Sequence, residues 1–215
     1  MLVVSFVSQK GGVAKSTLSR LIAREAAAAG WRVKIADLDT QQGTSTEWAR
    51  RRLAAELQPV FEVAGAATAR MALDHARDID LLVIDAPARA SEGTLTIAKE
   101  SDLVVQPTSG SLDDLHPAVL VFHDLVKRGV SRSKLAFALC HIGTDAEERD
   151  AREYLTRAGY EILEGSLPTR PAYKAAQNAG RTVNETTFKQ LNERASELAR
   201  AIASRIGAAA PEAAA

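Results

Sequence analysis

The chain has 215 residues, 46% apolar and 25% charged, which is the composition of a globular protein and the length of one domain. Lysine plus arginine and aspartate plus glutamate both number 27, so no global field draws the protein to nucleic acid or an acidic membrane, and any such binding must use a local patch. The single cysteine, Cys140, excludes an internal disulfide and a cysteine-built zinc cluster, no apolar run approaches the ~20 residues of a membrane span, and the opening segment lacks signal-peptide features, so a soluble cytoplasmic protein is expected.

In chain order, the β-branched and aromatic run Val3 to Val7 predicts a strand that ends in a Gly-containing turn, Lys10-Gly11-Gly12. Thr17 to Ala29 reads as a helix stopped by Gly30. Val33 to Ala36 is a second buried strand, followed by the polar stretch Asp37 to Thr46. Leu81 to Ile84 is a third, Leu103 to Val105 a fourth, Leu135 to Leu139 a fifth, and Tyr160 to Leu163 a short sixth leading into Leu167-Pro168. Helices are predicted over about 44–57, 67–77, 92–100, 113–128, 146–157 and 186–206 from the spacing of apolar positions. Continuous apolar strands alternating with helices imply an α/β fold, a mostly parallel, doubly wound sheet covered on both faces. Ligands of such sheets gather at the carboxyl ends of the strands. Residues 1–206 are read as one domain and the Ala-rich stretch 207–215 as a disordered tail.

Three motifs sit at strand ends. Gln9-Lys10-Gly11-Gly12-Val13-Ala14-Lys15-Ser16-Thr17 joins the first strand to the first helix. A phosphate chain needs inward-pointing backbone N–H groups, and a Gly-containing loop entering a helix N-terminus supplies them. Lys15 would neutralise β- and γ-phosphates and the Ser16 hydroxyl would ligate Mg²⁺. Asp37-Leu38-Asp39 follows the second strand; its two carboxylates fall on one side of an extended segment, where they would serve a metal and an attacking water or simply cap a helix. Leu81-Leu82-Val83-Ile84-Asp85 is an apolar strand ending in a carboxylate able to hold Mg²⁺ through water.

The loop departs from the general P-loop pattern: Gln9 replaces the first Gly, Ala14 the last, and Lys10 is an added lysine. Lys-Gly-Gly-x-x-Lys-Ser-Thr resembles the deviant Walker A loop of the ParA/MinD superfamily, and the Asp37 and Asp85 segments resemble that superfamily's Asp-x-Asp-Pro-Gln box and Walker B strand, with Thr40 in place of Pro. The resemblance covers residues 1–206 and is closest to short, ParF-like plasmid partition ATPases. It implies ATP/ADP and Mg²⁺ as cofactors and an ATPase activity that acts as a switch. It also implies a homodimer with ATP sandwiched, in which Lys10 reaches the partner's nucleotide like an arginine finger. Lys15 and Asp39 would be catalytic, with Asp37 as helper, and Ser16, Asp39 and Asp85 would serve the metal. Asp102-Leu103-Val104 with Leu112-Asp113 resembles the segment near the γ-phosphate and dimer face, and Leu167-Pro168-Thr169-Arg170-Pro171 the loop that packs on adenine. Cys140-His141 falls where many members carry Asn-Arg at the base edge; a histidine such as His141, taken alone, is more often a surface or packing residue than a ligand. The Ala14 methyl would either tighten the loop or slow turnover.

Between residues 166 and 206, seven basic residues face three acids. Partition ATPases bind DNA non-specifically through such a face when ATP-bound, which would place Arg170, Lys174, Arg181 and Lys189 on DNA and the protein on the nucleoid; a solvated, salt-bridged helix face is the alternative. A small centromere-binding adaptor is the implied partner. The last segment lacks the apolar face of a membrane anchor, so no membrane partner is expected. Positioning of a non-DNA cargo, conjugative DNA processing, and a non-hydrolysing nucleotide-dependent scaffold are the alternative functions.

Overall fold

The computed structural model describes residues 1–88 and 92–209. Seven strands, β1 (Leu2–Ser8), β2 (Val33–Asp37), β3 (Glu62–Gly65), β4 (Leu81–Ala88), β5 (Leu103–Thr108), β6 (Leu135–Ile142) and β7 (Glu161–Pro168), form one sheet in the order β3-β2-β4-β1-β5-β6-β7. Every pairing is parallel. The helices are α1 (Lys15–Ala28), α2 (Thr44–Ala54), α3 (Ala69–Asp74), α4 (Glu92–Glu100), α5 (Leu112–Lys127), α6 (Asp145–Arg157), α7 (Pro171–Asn178) and α8 (Lys189–Ala209).

The alternation of side chains along each strand divides the core in two. Val4, Phe6, Ile35, Val83 and Val105 face α1 and α8, while Val3, Val7, Ile84 and Val104 face the opposite layer with Phe122, Phe137 and Leu155. Burial on both faces is why these strands read as unbroken apolar runs rather than alternating ones. The apolar side of α8, through Leu198, Ala199, Ile202 and Ile206, is spent on this core. That helix runs on through Gly207 to Ala209, inside the stretch read as a tail; 210–215 lie outside the described residues.

Two elements escape the sequence reading. β3 is an edge strand of four residues with Ala64 and Gly65 in it, too short and too poor in β-branched side chains to stand out. α7 fills what reads as a loop, although Pro171 at its first turn and Gly180 just past its end are start and stop signals. Because all strands run one way, the loops after β1, β2, β4, β5, β6 and β7 converge on one edge of the sheet, and β1 lies centrally with chain leaving to both sides.

Candidate functional site

The loop between β1 and α1 is a cradle open to solvent. Gly12 has φ +76°, a left-handed conformation natural to glycine; Ala14, the residue that caps α1, has φ +82° and carries the strain of a Cβ there. Val13 anchors the loop in the core, whereas Gly11 and Gly12 are exposed. Lys15 is only 8% exposed and its Nζ donates to the Lys10 carbonyl at 3.2 Å. Burial lowers the Lys15 pKa, and the charges of Asp85 and Asp39 oppose that shift. The hollow over this loop, about 460 Å³, is lined by residues 12 and 14–17 of the loop with Gln42, Thr44 and His141, by two cations, Arg20 and Arg51, and by one carboxylate, Glu47.

The two aspartates at the end of β2 part company. Asp37 is buried and its carboxylate is taken up by α2: Oδ2 accepts from the Ser45 and Thr46 N–H groups at 2.9 and 3.2 Å, and Oδ1 from Asp39 N–H at 3.2 Å. It caps the helix, because the chain turns back after Gly43 (φ +54°) and offers those N–H groups to it. Asp39 stays half-buried, its Oδ1 accepts from the Gln42 N–H at 3.4 Å, and its charge acts on Lys15.

Asp85 is 2% exposed inside β4, three residues before its end, in register with Asp37. Burial raises its pKa, against the hydrogen bond from Ser45. The Ser45 hydroxyl donates to Oδ2 at 2.7 Å, while Oδ1 is buried without a partner. A buried carboxylate oxygen left unpaired is expensive, and a cation or its water would satisfy it. The Ser16 hydroxyl lies 3.2 Å from that of Thr44. Among the described residues no group of three or more His, Cys, Asp or Glu could hold a metal ion. A Mg²⁺ at Ser16 and Asp85 therefore fits as a metal that takes the rest of its shell from phosphate and water.

Lys10 lines neither the hollow nor the neighbouring cleft. Its side chain, 43% exposed, runs to the start of α5, where Nζ donates to the Asp113 carbonyl and to Asp114 Oδ1 at 2.6 Å. The Asp113 carbonyl is free for it because Pro117, four residues on, has no N–H to give. Burial would raise the Asp114 carboxyl, but hydrogen bonds from Lys10 and from Ser109 hold it below the ordinary range.

Beyond Thr17 lies a second cleft of about 530 Å³. Leu167, Pro168, Thr169, Arg170 and Pro171 form one side of it with Lys174, and Cys140 and His141 part of the floor. His141, at φ +58°, sets its Nε2 3.0 Å from the Gly12 carbonyl and so ties β6 to the cradle. Burial pushes the Cys140 thiol well above its usual range, which leaves it inert. Arg20 joins both hollows: Nε donates to Ser45 Oγ at 3.2 Å and Nη1 to Gln177 Oε1 at 3.1 Å, and burial lowers its pKa to about 10. Ser45, Arg20, Arg51 and Gln177 were not legible as site residues, because their roles depend on helices that only the fold brings to the loop.

The four basic residues read as a DNA face are not one cluster of equals. Arg170, Lys174 and Arg181 are exposed and make no ion pair among the described residues, and Arg170 and Lys174 border the second cleft. Lys189 pairs loosely with Glu193 at 3.7 Å. Arg194 and Arg205, which contributed to the local surplus, are engaged by Glu148 and Glu161.

A family model described as the CobQ/CobB/MinD/ParA nucleotide binding domain matches residues 4–208. No curated protein sequence matches the chain. Among solved structures, the septum site-determining protein MinD of Pyrococcus horikoshii, complexed with Mg-ADP, is similar with a TM-score of 0.76 at 17% identity, covering 97% of this chain and 98% of that one. The ATP complex of a Cyanothece McdA variant is similar at 0.72 and 13% identity, covering 94% and 96%. A ParA family ATPase of Chlorobium tepidum is similar at 0.66 and 16% identity, covering 93% and 98%. At these identities the likeness establishes a shared fold.

Proposed function

Because the chain belongs to the CobQ/CobB/MinD/ParA nucleotide-binding domain family, we propose that it is a ParA-type ATPase, switching between a monomer and an ATP-sandwiched homodimer that binds DNA and positions it. The observation that carries this reading is the placement of Lys10. It is half-exposed, its side chain held among the described residues by the first turn of α5 alone, and it is absent from its own phosphate hollow. A lysine so placed is available to a second protomer's nucleotide, where it would stabilise charge on the transferring phosphate.

In this reading Lys15 and the loop N–H groups of residues 11–17 bind the phosphates of their own subunit. The second cleft takes the base against Pro168 and Pro171. Ser16 and the unpaired Oδ1 of Asp85 would hold Mg²⁺, which would supply charge neutralisation to the phosphates. Asp39, whose charge acts on Lys15, orients the attacking water; Asp37 acts at one remove, by holding the start of α2 and with it Ser45. DNA contact rests on Arg170, Lys174 and Arg181, with Lys189 the weakest of the four. A small centromere-binding adaptor and a nucleoid location follow from the same reading.

Sizing and DNA binding, each with ADP and with a non-hydrolysable ATP analogue, test it. Wild type should be monomeric and bind DNA poorly with ADP, and should dimerise and bind non-specific DNA with the analogue. Lys10→Ala should bind the analogue yet remain monomeric and bind DNA poorly. Stable dimers of Lys10→Ala would remove Lys10 from the partner's site. A wild-type dimer that ignores DNA at low salt would move the function to a non-DNA cargo.

A further inference from the structure

Five residues line both the base cleft and the phosphate hollow: Ala14, Thr17, Arg20, Arg51 and His141. Ala14 and Thr17 belong to the loop itself. Arg20 is committed to Ser45, Gln177 and the face of Trp48, whose ring centre is 5.3 Å from its guanidinium carbon. His141 is committed to the Gly12 carbonyl. Arg51 is different. Its Nε is buried with no hydrogen-bond partner, and the one carboxylate its guanidinium meets among the described residues, Glu47, stands 3.9 Å away. That same carboxylate group is held more closely, at 3.1 Å, by the neighbouring Arg50.

We infer that Arg51, on α2 and outside the phosphate-binding loop, is a nucleotide-binding residue that takes the α-phosphate of a nucleoside di- or triphosphate. The inference rests on the reading of this site as a nucleotide site and adds a residue to it. In a nucleotide the α-phosphate is the group that joins the nucleoside to the β- and γ-phosphates. The place where the base cleft meets the phosphate hollow is therefore its place, and Arg51 lies there. Two guanidiniums, Arg20 and Arg51, share that junction and repel each other; burial first, and then the charge of Arg51, work against the Arg20 cation. An anion between the base cleft and the cradle relieves the repulsion, and a planar guanidinium is suited to grip phosphate oxygens.

The placement on α2 has a consequence. The first turn of that helix donates Ser45 N–H to Asp37 and Ser45 Oγ to Asp85. One helix thus joins the α-phosphate to the carboxylate on the metal side. Since the α-phosphate is common to ADP and ATP, Arg51 contributes binding that does not distinguish them, and its removal acts on affinity more than on turnover.

The test is calorimetric titration of the full chain with Mg-ADP and with a non-hydrolysable Mg-ATP analogue. Arg51→Ala should weaken both by a similar factor, about tenfold or more, the range for losing one charge-assisted contact. Arg51→Lys should recover part of the loss, Arg50→Ala should match wild type, and the loss in kcat/KM should be carried by KM. Arg51→Gln keeps most of the stem and the same expectation if the alanine variant melts too low for titration. Wild-type affinity for ADP in Arg51→Ala or Arg51→Gln overturns the inference, as does a loss confined to the ATP analogue. Wild type binding neither nucleotide overturns the nucleotide-site reading itself, a result separate from any variant.

Discussion

At the scale of single residues, the site pairs a buried cation with carboxylates of different availability. Lys15 tolerates burial because Asp85 and Asp39 offset it. Asp37 is saturated by backbone N–H groups, so of the two aspartates at the end of β2 only Asp39 has a carboxylate left for chemistry. Asp39→Ala should therefore retain nucleotide binding while losing ~10²-fold or more in turnover, with the ATP dimer accumulating. Steady-state phosphate release and sizing measure this; normal turnover would move water positioning elsewhere. Ala14 sits at φ +82°, where a Cβ costs about 1–2 kcal/mol. Ala14→Gly should raise the unfolding free energy by about 1 kcal/mol, since glycine also gains freedom in the unfolded chain. A denaturant midpoint that falls would show that the methyl is held favourably by its packing.

At the scale of elements, the wall of the second cleft depends on how α7 is pinned to α2. Gly180, just past α7, has φ +73°, and a Cβ there would come within 2.5 Å of the Arg52 backbone nitrogen. The two backbones touch because no side chain intervenes. Arg52 reinforces the junction by donating to the Gly180 carbonyl at 3.2 Å and to Glu185 at 2.8 Å. Gly180→Ala combines a disfavoured φ with a clash against backbone, which together cost roughly 2–4 kcal/mol. Thermal unfolding should fall by roughly 4–16 °C, and ADP affinity should fall with it as α7 shifts. A variant with wild-type melting would mean that α2 and α7 separate easily and that the wall is soft.

At the scale of the molecule, a protein of zero net charge must concentrate any attraction to DNA in a few places. Of the four basic residues read as a DNA face, the three without ion pairs, Arg170, Lys174 and Arg181, make six in a dimer (three from each protomer). If each meets a phosphate, DNA affinity of the ATP dimer should fall about 10³-fold between about 50 and about 200 mM salt. Alanine at any one of the three should flatten that slope by removing two contacts per dimer. A slope near zero, or one insensitive to all three changes, would place the DNA face elsewhere or take DNA out of the function. Among the described residues no helix is long and apolar enough to cross a membrane.

The order of motifs was legible without a structure because their chemistry is local. A phosphate loop needs its glycines and lysine within a few residues of each other, and strands buried on both faces must read as apolar runs, so Lys10 to Thr17, Asp85 and most of the sheet stand out along the chain. The edge strand β3 and the helix α7 did not, since their residues are ordinary and pairing with β2 and packing on α2 decide their state. Only the tertiary structure separated Asp37 from Asp39, for a carboxylate's availability depends on which helix N-terminus folds back onto it. Only it set Lys10 against α5, across more than a hundred residues, and left Arg51 facing the junction of cleft and hollow. Sequence spacing reports what neighbours along the chain do; the partner of a charged side chain is chosen in space.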